Sequence, residues 1–227
     1  MGKPEMAEVT KEVGGESSRE QLKAELRSAR EGLYRERILE AAEQVFAEGP
    51  FEAVGIREIA ERAGVSVGSV YGIFEGKEAL FRAVHERRSA ELFERMAEVI
   101  DAGTGPRGLI EQGIEETVRF FCERPSYLRM HLQDRTAWAL EGQGTDVQSD
   151  SWHRGRELIR VAFAAGMREG IFFEGDPESN ARMVMAMHQV KLAEWLASEP
   201  RPASEDVARD LKLLFQRAFV NGSATSA

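Results

Sequence analysis

Between Ile56 and Phe74 the order of residues leaves few folds open. Ile56, Ile59, Ala60 and Ala63 recur at helical spacing on one face, while Glu58, Glu61 and Arg62 lie off it. Gly64 follows, where a helix end calls for a left-handed residue with no Cβ penalty. Val65 can plug the corner, and Ser66 can cap a second helix by accepting a backbone N–H from its first turn. Val70, Ile73 and Phe74 continue the apolar face, and Ala60 is small enough for two helices to cross closely. The pattern predicts two short helices around a tight turn, the helix-turn-helix arrangement that lays its second helix in the DNA major groove.

The residues left outside on that second helix are Ser66, Val67, Gly68, Ser69, Tyr71 and Gly72. Hydroxyls suit phosphates or base edges, Val67 suits a thymine methyl, and the two glycines permit close backbone approach. A plain helical corner is the competing reading. It gives no reason to expose Tyr71 between two glycines.

The surrounding sequence carries a family resemblance. Ile38-Leu39-Glu40-Ala41-Ala42, then Val45-Phe46-Ala47-Glu48, then the stretch above, then Val70-Tyr71-Gly72-Ile73-Phe74-Glu75-Gly76-Lys77-Glu78-Ala79-Leu80, resembles the N-terminal domain of the TetR family. The likeness spans roughly residues 35–88. It implies a one-component, ligand-responsive transcriptional regulator in which Tyr71, Lys77 and Arg57 hold DNA phosphates. Three positions depart from the family pattern. Gly55 stands where a capping Thr or Ser is usual, Val67 where Lys or Arg is frequent, and Gly72-Ile73 where an aromatic or His pair is usual. Each departure removes a polar contact to DNA.

Charge bears directly on this reading, because the net charge of −9 is unlike the basic footprint of a DNA binder. The acid is unevenly spread. Residues 19–37 hold six basic side chains against four acidic ones, and residues 38–88 hold six against nine. A near-neutral head can still present a basic face, with affinity resting on few phosphate contacts.

An all-α fold is expected in four segments: a disordered tail at 1–18, a helical basic extension at 19–34, a three-helix DNA-binding domain at 35–80, and a helical effector-binding and dimerisation domain at 81–221. In the extension, Arg19, Lys23, Arg27 and Arg30 share a helix face, with Leu22, Leu26 and Leu33 on another. It reads either as a solvated amphipathic helix or as an arm that follows the DNA backbone or enters the minor groove. Helix 1 of the head spans about 35–47 and stops at Gly49-Pro50. An uninterrupted helical period runs from Lys77 to about Ala102, where Gly103-Thr104-Gly105-Pro106 breaks it. Further helices are expected over 106–123, 126–140, 151–168 and 177–197, with a loop at 141–150. A last helix follows Pro202 with Ser204 as its cap.

The helix over 177–197 is apolar on two sides. Ala181, Val184, Met185, His188, Leu192 and Trp195 form one stripe, and Met183, Met187 and Val190 a second. On the final helix Val207, Leu211, Leu214 and Ala218 make one face, and Phe215 and Phe219 lie on another. Two apolar sides must both be buried. An isologous four-helix homodimer interface using Met183, Met187, Val190, Leu211, Leu214 and Phe215 satisfies that, as does a fully buried central helix in a monomer.

Nothing in the sequence supports catalysis. The four histidines are scattered without metal-ligand spacing, and no nucleophile elbow, Walker loop or dinucleotide fingerprint occurs, so no enzyme, metal site or cofactor is expected. Cys122 alone forms no internal disulfide. No apolar run is long enough for a membrane span and no signal-peptide core opens the chain, which predicts a cytoplasmic protein without membrane contact. Large or pliable side chains in the C-terminal helices, Phe121, Tyr127, Trp138, Phe163, Met167, Met183 and Met187, could line a small-molecule cavity with His131 as a polar group, or could be plain core. The reading that results is a dimeric repressor released from a palindromic double-stranded operator by a small, apolar effector. The alternative is a helical sensing or scaffold protein that has lost specific DNA binding.

Overall fold

A computed structural model describes residues 6–133 and 146–222, with side chains described over 20–133 and 153–222. Apart from one 3-10 turn at Phe51–Ala53 and an isolated bridge between Phe172 and Val220, the named elements among the described residues are α-helices. The helices are α1 (Met6–Glu48), α2 (Ile56–Ala63), α3 (Val67–Tyr71), α4 (Lys77–Asp101), α5 (Gly105–Cys122), α6 (Pro125–Gln133), α7 (Asp146–Arg168), α8 (Pro177–Ala197) and α9 (Ser204–Phe219).

Several boundaries differ from the sequence expectation. Helix α1 already runs at Met6, so residues 6–18 are helical rather than a tail, and no break separates the extension from the first helix of the head. The Gly14-Gly15 pair lowers helix propensity but does not forbid the conformation. Helix α7 begins at Asp146, inside the expected loop, and the rest of that loop lies outside the described residues. Helix α6 is described only to Gln133. Ser204 is the first residue of α9 rather than its cap; Ala203 holds the extended cap conformation and no side chain bonds the first turn.

The chain divides into two compact units, Met1–Ala42 with Gly55–Leu80, and Glu43–Val54 with Phe81–Ala227. Residues 43–54 thus group with the second unit and not with the rest of the 35–80 block. In the first unit Ile38, Ala42, Ile59, Ala60, Ala63, Val70 and Leu80 are all buried, joining α1, α2, α3 and the start of α4 in one small core.

The second unit is built on α5, whose Ile110, Ile114, Val118, Phe120 and Phe121 are buried and which contacts α6, α7, α8 and α9. Helix α8 begins as its sequence requires. Pro177 occupies the first turn, and Asp176 accepts from the backbone N–H of Ser179 at 3.0 Å and of Glu178 at 3.3 Å. Gly170 at φ 72° ends the turn after α7, and Phe172 folds back so closely that a Cβ on Gly166 would fall 2.4 Å from its ring. Phe163, Phe172, Phe215 and Phe219 then form an aromatic cluster with ring centroids 4.9 to 6.1 Å apart.

That cluster corrects two sequence readings. Phe215 and Leu211 face the core of their own subunit with 0% and 1% exposure, so neither is available as an interface residue. Leu214 and Ala218 stand on the outer side of α9, not beside Val207 and Leu211. The buried row is Val207, Leu211, Phe215 and Phe219, a four-residue step that slides one stripe over from the one expected.

Candidate functional site

In the first unit, Gly64 adopts φ 65° and its N–H bonds back to Glu61 O, while Val65 N reaches Ala60 O at 3.0 Å. This closes α2 with a left-handed residue and turns the chain into α3. Ser66 is extended, and its Oγ accepts from Ser69 N at 3.0 Å and lies 2.8 Å from Ser69 Oγ. The cap fixes where α3 starts and therefore which of its side chains face outward. Val70 is fully buried and Phe74 nearly so, with the Arg35 guanidinium 4.8 Å from the Phe74 ring centroid.

Opposite that anchored face, Ser66, Val67, Gly68, Tyr71 and Gly72 are exposed, and Ser69 is half-buried. Arg57 on the first turn of α2 is exposed and Lys77 at the start of α4 is half-buried. Val67 and Tyr71 are large apolar or aromatic groups 39% and 56% exposed, a placement that core packing does not explain. The residues form a hydroxyl- and glycine-rich surface with cations at its margins, the chemistry that suits a phosphate backbone and the edges of bases. Gly55 at the N-cap of α2 supplies no side-chain bond.

The second unit contains a cavity of about 160 Å³ between α4, α5, α6, α7 and α8. Helix α4 lines it with His85, Arg88, Ser89, Leu92, Phe93 and Met96, α5 with residues from Leu109 to Phe121, α7 with Leu158 and Ile159, and α8 with Val184, Met185 and His188. Of the residues predicted for a pocket, Phe121, Tyr127 and His131 are on this wall. Phe163 belongs instead to the aromatic cluster, Met183 is 48% exposed, and Met167 and Met187 are not on the wall either. Trp138 lies outside the described residues.

What the sequence missed was the contribution of α4, because its apolar period is explained equally well by a connector between domains. The signal was His85, a histidine set among Phe81, Val84 and Leu92 on a helix face that would otherwise be plain core.

Three histidines line the cavity, His85 and His188 buried and His131 half-buried. Burial lowers His85 to about 3, with the neighbouring His131 adding to the shift, and burial lowers both His131 and His188 to about 4. All three are neutral at pH 7. His85 Nδ1 is 3.3 Å from the Tyr127 hydroxyl, itself buried and pushed well above its ordinary range by desolvation. Arg88 is the cation on the wall; its Nε donates to Glu43 at 2.6 Å and its Nη1 to Glu91 at 2.8 Å. Half-buried Cys122 is raised to about 11, chiefly by burial and then by Glu205, so its thiol stays protonated. Among the described residues no group of three potential metal ligands gathers.

Comparison with known proteins identifies the family of the chain. The family model for bacterial regulatory proteins of the tetR family matches residues 38–84, which contain the helix-turn-helix. The repressor NemR of Escherichia coli K12 is 33% identical over 162 residues, covering 67% of this chain and 79% of that protein. Among solved structures, the ketosteroid regulator KstR2 of Mycobacterium tuberculosis superposes with a TM-score of 0.69 at 19% identity, over 82% of this chain and 95% of that one. FadR of Bacillus subtilis, solved with stearoyl-CoA, superposes with a TM-score of 0.67 at 16% identity, over 79% and 96%. With a relative this similar over most of its length, and a reading head built as described, the chain belongs to the TetR family of helix-turn-helix transcriptional regulators, a non-enzymatic family.

Proposed function

We propose that the protein is a homodimeric repressor that leaves its operator when a small molecule occupies the cavity of the second unit. The observation that carries this reading is α4 itself. One helix begins at Lys77, shortly after α3, and from about two turns later supplies six residues of the cavity wall, His85 to Met96. A ligand that prefers one position of α4 changes how the head is held. The differential need only amount to about 1–3 kcal/mol.

Each subunit would lay α3 in a major groove, with Ser66, Val67 and Ser69 toward base edges, Gly68 and Gly72 against the backbone, and Arg57, Tyr71 and Lys77 on phosphates. Two such heads address half-sites about 34–36 Å apart or a multiple of that. For the second copy, Met183 and Val190 on α8 and Leu213 and Leu214 on α9 are exposed apolar groups of the kind a two-helix interface covers, with Met187 half-buried beside them.

The test is fluorescence-polarisation titration of the full chain against the DNA upstream of its own gene, at about 50 and 200 mM salt. Two chains per site, with affinity falling as salt rises, is the expected result. Absence of binding even at the lower salt favours the scaffold reading, which the uncapped Gly55 and the uncharged Val67 motivate.

A further inference from the structure

His188 gives the cavity a chemical preference. The side chain is 5% exposed, and its Nδ1 lies 2.8 Å from the carbonyl oxygen of Val184, one turn earlier on α8. A carbonyl only accepts, so Nδ1 carries the hydrogen. In the neutral ring Nε2 is then a bare acceptor. That Nε2 is shut off from solvent and has no hydrogen-bond partner among the described residues. A buried acceptor with nothing to accept from carries an uncompensated desolvation cost, which a ligand's donor removes.

The rest of the wall decides what kind of ligand. Leu92, Phe93, Met96, Ile114, Leu158 and Ile159 make it largely apolar. The cation present, Arg88, is already bonded to Glu43 and Glu91, so an anion approaching it would meet two carboxylates. We infer that the cavity takes an uncharged, mainly apolar molecule with one hydroxyl or N–H that donates to His188 Nε2, and discriminates against carboxylates and other anions. This rests on the effector reading above and specifies the chemistry of that same site.

Two scaffolds, one flat and one flexible, provide the probes: 2-naphthol, 2-methoxynaphthalene and 2-naphthoate, and 1-octanol, 1-methoxyoctane and octanoate. Each is titrated into the full chain by calorimetry and thermal shift. In at least one scaffold the alcohol should raise the melting temperature and bind about tenfold or more tighter than both its methyl ether and its carboxylate, because only the alcohol satisfies the acceptor. His188→Phe should erase the alcohol-over-ether preference, and His188→Gln, whose amide oxygen accepts, should keep part of it. A carboxylate or an ether that binds as tightly as the alcohol in every scaffold that binds, or no probe that raises the melting temperature, overturns the proposal. If the variants do not fold, the wild-type series decides alone. Operator binding measured with each probe separates this from the effector reading. A His188-dependent alcohol that leaves DNA affinity unchanged sinks the effector role while the ligand chemistry stands; a carboxylate that binds and releases DNA does the reverse.

Discussion

Gly64, Gly68 and Gly72 look alike in the sequence and have different reasons for being glycine. At Gly64 the backbone is left-handed and a Cβ would fall 2.7 Å from the Arg37 guanidinium, so the fold itself requires the small residue. Gly72 sits at φ −70°, and Gly68 is not among the positive-φ glycines. Added Cβ atoms there would have nearest neighbours at 3.4 Å and 3.7 Å, which is ordinary contact. The fold therefore has no need of glycine at these two exposed positions, whereas the proposed approach of a DNA backbone to α3 would give one. Gly68→Ala should leave the melting temperature unchanged or raise it, by the equivalent of up to about 1 kcal/mol. The same change should weaken operator binding roughly tenfold, a cost of about 1.4 kcal/mol at the closest approach. A variant that melts higher and binds DNA as well as the parent would show that close approach at Gly68 plays no part.

At the scale of elements, periodicity was enough to find α2, α3, α4, α8 and the turn between α2 and α3, because each has its own apolar face and its own stop residue. It was not enough to say which of two neighbouring stripes faces inward. On α9 the rows through Leu214 and through Phe215 are both helical, and only the aromatic cluster with Phe163 and Phe172 selects the second. Nor does a sequence display what joins one helix to another. Glu43 near the end of α1 is 6% exposed, and it accepts from Arg88 of α4 at 2.6 Å with Arg87 at 3.5 Å. Beside this clamp Phe46 meets Phe81 at 5.0 Å, Phe81 meets His85 at 4.7 Å, and His85 reaches Tyr127 on the cavity wall at 5.5 Å. Arg88 thus belongs both to the cavity and to the tie between α1 and α4. A double-mutant cycle with Glu43→Gln and Arg88→Met, read by urea unfolding, should give a coupling of at least about 1 kcal/mol, since each change alone leaves the remaining charge with only its second partner, Arg87 for Glu43 and Glu91 for Arg88. Additivity within about 0.5 kcal/mol would show that the clamp contributes nothing as a pair.

For the whole molecule, the three cavity histidines make acid the weak side. Well above pH 6.5 neither the native nor the unfolded chain protonates them, and they add no pH dependence. As pH falls, the unfolded chain takes up protons that the native state refuses until about pH 4 at His131 and His188 and about pH 3 at His85. Unfolding then binds protons, so stability must rise with pH through this window and fall as the solution is acidified, by up to about 1.4 kcal/mol per pH unit for each histidine. The carboxylates act lower down. Partial burial pushes Glu91 up, but hydrogen bonds from Arg88 and Arg124 outweigh it and hold the group below its ordinary 4.5, so its contribution is complete above that value and is lost below it. Thermal melts between pH 7.5 and pH 5 therefore isolate the histidines, and the melting temperature should drop steeply below about pH 6.5. His188→Phe removes one of the three groups and should flatten the slope by about a third. A profile that is level down to pH 5, or a slope that the substitution leaves untouched, would mean that these rings take up protons in the native state, and with that the neutral acceptor on the cavity wall would be lost.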